Sequence, residues 1–85
     1  MNIEISNTAK KQLKKLPKPI QKKTHKAFNF LLNNYRHPSL RTKKKTNQNE
    51  FEASIDIHYR FSFLVESNTI YILTIGMHDR GLGKK

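Results

Sequence analysis

Three apolar segments of strand length follow one another between Glu50 and Asp79: EFEASID, YRFSFLV and TIYILTIG, the last running into MHD. Each is rich in Phe, Tyr, Ile or Val, and only a few polar residues separate one from the next. Such a series reads as a three-stranded antiparallel meander. In the first segment Phe51, Ala53 and Ile55 alternate with Glu50, Glu52 and Ser54. In the second, Tyr59, Phe61, Phe63 and Val65 share one face and leave Arg60, Ser62 and Leu64 on the other. The third, Thr69 to Ile75, is apolar on both faces, as a central or well-covered strand is. Asp56-Ile57-His58 and Ser67-Asn68 supply the turns.

The preceding half of the chain is helical and basic. Ile3 and Ile5 alternate with polar neighbours as a short strand, and Ser6 is placed to cap a helix. Ala9, Leu13 and Leu16 recur at helical spacing with Lys10, Lys11, Lys14 and Lys15 on the other side. Pro17 ends that helix by forcing its predecessor out of the α region, and Pro19 suits the first turn of the next. Ile20, Ala27, Phe28, Leu31, Leu32 and Tyr35 form one apolar stripe of this second helix. Asn33, Asn34 and His37-Pro38 mark its end. Residues 36–49 show neither helical nor strand period and carry five Lys/Arg, so they read as a long basic loop.

The expected fold is α+β, in the order β-α-α-β-β-β, with an antiparallel sheet packed on a helical hairpin and its other face open. Phe61 and Phe63 face the helices in this reading, while Glu52, Ser54, Arg60 and Ser62 point to the open side. Eighty-five residues allow one domain, 1–85, with a thin core. No cysteine is present, which excludes disulfides and thiolate metal sites. The N-terminus has no apolar targeting segment and no run is long enough to span a membrane. A soluble cytoplasmic protein is expected.

Charge narrows the function. The chain carries a net charge of +11, and residues 1–49 hold thirteen Lys/Arg against Glu4 alone. A field of this kind attracts polyanions, nucleic acid above all. His25, His37 and His58 stand apart from one another and from clustered carboxylates, so no metal and no cofactor is expected. Phe28, Phe30 and Tyr35 read as core.

HPSLRTKK before the meander, the strand opening YRFSFLV and the ending TIYILTIGMHD together resemble the RelE/ParE superfamily of toxins from type II toxin–antitoxin pairs. The likeness covers nearly the whole chain, and the superfamily's fold has the element order derived above. It implies a ribosome-dependent mRNA endoribonuclease that needs no metal. In that reaction the ribose 2′-OH attacks the adjacent phosphate, with a base, a cationic stabiliser and an acid assisting. Arg60 falls on the family's strand arginine, which steadies the scissile phosphate, and His78 on its catalytic His or Arg. Asp79 is expected to orient His78 or to cap the strand end rather than to react itself.

Two departures matter. RelE has two lysines on the first meander strand where this chain has Glu52 and Ser54, and a tail tyrosine where this chain ends RGLGKK. Some relatives use a carboxylate in the site, which makes Glu52 a candidate general base. Arg41, Lys43, Lys44 and Lys45 in the loop, with Lys10, Lys14, Lys22 and Lys26 on the helices, are candidates for contact with RNA or the ribosome. The expected partners are a cognate antitoxin and the mRNA-loaded ribosome. Two other functions remain open: a ParE-like toxin that inhibits DNA gyrase and cuts no RNA, and a non-catalytic nucleic-acid binding module. For Arg60 the plain alternative is a cross-strand ion pair with Glu52 or Asp56.

Overall fold

The computed structural model describes residues 2–34, 40–44 and 50–77. Strand β1 (Asn2–Ile5) leads into helix α1 (Asn7–Lys15) and helix α2 (Lys18–Asn33). Four further strands follow: β2 (Lys43–Lys44), β3 (Glu50–Ser54), β4 (Tyr59–Glu66) and β5 (Thr69–Met77). The fold class is the expected α+β with two helices on one face of a sheet.

Local chemistry sets the helix ends. The Ser6 hydroxyl accepts from the Ala9 N–H at 3.0 Å, capping α1. Leu16 leaves the helix in extended geometry before Pro17, and Gln21 Nε2 donates to the Leu16 carbonyl at 2.9 Å. Pro19 lies in the first turn of α2, where its missing N–H costs nothing.

The strands form one sheet in the order β1-β5-β4-β3-β2. The meander β3-β4-β5 is antiparallel as read. The sheet as a whole is mixed, because β1 pairs parallel with β5, Ile3 beside Ile70 and Ile5 beside Ile72. The loop reading of residues 36–49 also needs correction within its described part. Lys43 and Lys44 pair with Glu52 and Phe51 as a short edge strand, and Leu40 is fully packed into the core. That one apolar anchor ties the basic segment to the sheet.

Phe61, Phe63, Phe51, Ile70, Ile72 and Ile75 from the sheet meet Ala9, Ala27, Phe28 and Leu31 from the helices. Phe28 stands edge-on to Phe61 at 5.3 Å, and Phe51 stacks on Phe63 at 5.4 Å. Thr24 is also buried in this layer, its hydroxyl donating to the Ile20 carbonyl at 2.7 Å. Leu32, assigned to the apolar stripe, is instead 39% exposed. Tyr35 lies outside the described residues.

A β-bulge in β5 decides which side chains reach the helix-free face. Ser62 pairs with Thr74 but Phe63 pairs with Ile72, so Leu73 is an extra residue. Before the bulge Ile70 and Ile72 face the helices; after it Ile75 does, and Thr74 and Gly76 turn to the other side. The helix layer holds the bulge in place. Ser6 Oγ donates to the Leu73 carbonyl at 2.8 Å, and Gln12 Oε1 accepts from the Ile75 N–H at 2.7 Å. No helix is long and apolar enough to cross a membrane among the described residues.

Candidate functional site

Register places the candidate residues in rows across the helix-free face. Ser54, Arg60 and Gly76 form one row, and Lys43, Glu52, Ser62 and Thr74 the next. Arg60 is therefore opposite the helices, as parity requires. Its guanidinium leans diagonally towards β3, where Nη1 stands 3.5 Å from Glu52 Oε1. Asp56, the other partner considered for Arg60, is held elsewhere. It pairs with Lys23 at 3.7 Å and accepts from the N–H groups of His58 and Tyr59 at 2.8 and 3.0 Å. Burial pushes the Asp56 carboxyl up, but the two N–H donors and the charges of Lys23 and His58 outweigh it, so the net shift is downward.

This face is less bare than the parity argument implies. The Arg60 and Glu52 side chains are only 18% and 15% exposed. Ser62 is buried outright and shares a 2.7 Å hydrogen bond with the Thr74 hydroxyl. Arg60 Nη1 is buried and, among the described residues, has no hydrogen-bond partner. An arginine has five N–H donors, and a buried donor left unmade costs about 1–3 kcal/mol. The site thus holds a guanidinium, one carboxylate that attracts it without closing a hydrogen bond, and an unused donor.

The other candidates divide between two sides. Lys43 is paired with Glu52 and shares its face; Lys44, one residue on, points the other way. Arg41 is exposed in a left-handed backbone conformation, φ 49°. Lys10, Lys14, Lys22 and Lys26 are exposed on the helices, behind the sheet as seen from Arg60. His78, Asp79 and Lys45 lie outside the described residues.

One electrostatic feature escaped the sequence reading. Glu4, Glu50, Glu52 and Glu66 all fall on the helix-free face, by register with Tyr71, Leu64, Ser62 and Thr69. Alternation along the strands contained the signal. Lysines thus dominate the helix side, whereas the helix-free face carries four carboxylates, of which Glu52 is the one beside Arg60.

A family model described as the ParE toxin of the type II toxin–antitoxin system parDE matches residues 3–82. No curated protein matches the sequence. Among solved structures, YafQ from E. coli strain BL21(DE3) superposes with a TM-score of 0.79 at 15% identity, over 96% of this chain and 98% of that one. The isolated E. coli RelE toxin gives 0.75 at 15% identity, over 89% and 82%. A RelB–RelE antitoxin–toxin complex from Methanococcus jannaschii gives 0.77 at 21% identity, over 93% and 94%. These likenesses establish the shared fold. With the family match spanning nearly the whole chain, the protein belongs to the ParE toxin family of type II toxin–antitoxin systems, within the RelE/ParE superfamily.

Proposed function

We propose that this toxin is a metal-independent endoribonuclease that cuts mRNA on the ribosome and is silenced by a cognate antitoxin. The observation that carries the reading is the Arg60 guanidinium: on the helix-free face, mostly buried, with Nη1 unbonded among the described residues. A phosphodiester offers that donor the acceptor it lacks. The guanidinium fork also suits the two non-bridging oxygens of a phosphorane. Arg60 then stabilises the charge that develops during 2′-OH attack. In this reading Glu52 takes the 2′-OH proton, and His78, oriented by Asp79, gives one to the leaving 5′-oxygen.

The charge distribution supports ribosome dependence. The helix-free face sets Glu4, Glu50, Glu52 and Glu66 against Arg60 and Lys43, so long-range attraction draws a free RNA strand to the helix side rather than to that face. Lys10, Lys14, Lys22 and Lys26 lie on the opposite side of a molecule measuring 31 × 28 × 26 Å. A short single strand cannot reach both sides at once. A large ribonucleoprotein that surrounds the toxin can hold Lys10, Lys14, Lys22 and Lys26 on ribosomal RNA phosphates while presenting mRNA to Arg60. Arg41, Lys43, Lys44 and Lys45, in and beside the edge strand β2, add to that grip. Primer extension on programmed ribosomes tests the reading: cleavage there, with naked RNA left intact, is the expected result.

A second reading has its own support. The carboxylate-rich face, with Glu52 where the RNA-cleaving relative has a lysine, suits a toxin that works by binding a protein such as DNA gyrase. A supercoiling assay with purified gyrase separates the two, since the nuclease leaves supercoiling untouched.

A further inference from the structure

Gly76 is the last residue but one of β5, directly opposite Arg60 on the helix-free face. Glycine weakens a strand by its conformational freedom and offers nothing to pack. It is usually explained by a left-handed backbone or by a neighbour too close for a side chain. Neither applies: its φ is outside the left-handed region, and a Cβ added there meets nothing within 4 Å among the described residues. Nothing among the described residues requires the side chain to be missing.

The surroundings supply a reason for its absence. Arg60 leans away from Gly76 towards Glu52, and no described residue fills the β5 side of its row. The neighbouring residue on the same face, Thr74, is held down by its hydrogen bond to Ser62. β1 ends its pairing at Ile72, so among the described residues no strand pairs with Gly76 on the side away from β4. The bulge at Leu73, held by Ser6 and Gln12, is what turns Gly76 to this face. A half-buried stretch of backbone without a side chain thus adjoins a mostly buried guanidinium with an unused donor.

We propose that Gly76 is a clearance position: the bare backbone is a shelf for the ribose of the nucleotide whose phosphate Arg60 holds. The inference deepens the nuclease reading and rests on it for the identity of the ligand. A ribose laid against a flat strand brings its 3′-phosphate alongside, within reach of the guanidinium. A side chain at position 76 would lift the sugar away and break that alignment while leaving the fold intact.

The test uses the full chain and two probes, adenosine 3′-monophosphate and inorganic phosphate, followed by NMR at the Gly76 amide (or that of its replacement) and the Arg60 Nε–H. Gly76→Ala should melt at or above the wild-type temperature, since its Cβ meets no described residue within 4 Å, and the melting curve of Gly76→Val checks that the larger side chain leaves the fold intact. Both probes should shift Arg60 in the wild type, and only the nucleotide should shift Gly76. In Gly76→Val nucleotide binding should weaken by about tenfold or more, the scale of a methylene-sized mismatch in a site, with phosphate binding unchanged. Equal nucleotide affinity in the Val variant, or nucleotide shifts confined to the helix lysines, would overturn the proposal. Wild-type protein that seats the nucleotide on Gly76 yet cuts no mRNA on ribosomes would uphold the shelf and defeat the nuclease reading.

Discussion

Arg60 and Glu52 form a diagonal pair across β4 and β3, with Nη1 3.5 Å from Oε1 and no hydrogen bond closed between them. The geometry attracts without saturating. Breaking a mostly buried pair by deleting one partner leaves the other charge uncompensated, so each half controls the other's availability. Replacing Glu52 removes a competitor for the guanidinium and, in the proposed mechanism, a base.

Glu52→Gln should therefore split the kinetic constants. Binding of RNA should tighten because Arg60 is released, while kcat falls by roughly 10²-fold or more, the contribution of a positioned base. Single-turnover cleavage on ribosomes and equilibrium binding of a short oligonucleotide measure the two effects. Unchanged kcat would leave Glu52 a structural partner only.

Gln12→Leu should cost about 1–3 kcal/mol in denaturant unfolding, because the Ile75 N–H loses its acceptor. Gln12→Glu keeps an oxygen there and should recover most of the loss. Hydrogen exchange at the Ile75 amide should accelerate in the Leu variant. Equal protection in both would show that the bulge holds itself.

Asp56 makes stability depend on acid. Its folded pKa lies below the usual 3.8, so its contribution is complete above that value and disappears as pH falls through the lower, folded value. Asp56→Asn should flatten this part of the pH–stability profile. Melting curves collected between neutral and strongly acidic pH would show the wild-type and variant profiles converging at the acid end.

The opposite placement of lysines and Arg60 is testable through salt. Changing Lys14, Lys22 and Lys26 together to Gln should reduce the slope of log K for ribosome binding against log salt by roughly 2, at about 0.7 per phosphate contact. Nucleotide binding at Arg60 should not change. A parallel loss at both sites would mean that they form one surface.

Much of this architecture was legible along the chain. Ser6, Pro17 and Pro19 mark the helix ends by local stereochemistry, and the alternation from Phe51 to Val65 assigns Arg60 to the helix-free face. What escaped depends on partners distant in sequence. The parallel pairing of β1 needs Ile70 and Ile72 as neighbours. The bulge at Leu73 has no local signal because Ser6 and Gln12 hold it from the other end of the chain. β2 is two lysines, a composition with no strand preference, and it is held by the packing of Leu40 nearby. Ser62 looked solvent-facing because alternation reports direction, not cover.

The central claim is that the Arg60 guanidinium acts on an RNA phosphodiester, and the direct measurement is the rate of mRNA cleavage on programmed ribosomes by wild-type, Arg60→Lys and Arg60→Ala proteins. The Ala protein should lose about 10²–10³-fold in kcat, as when a single transition-state donor is removed. The Lys protein should fall between, keeping charge but losing the fork. Wild-type cleavage rates in the Ala protein, with its fold intact, would contradict the account.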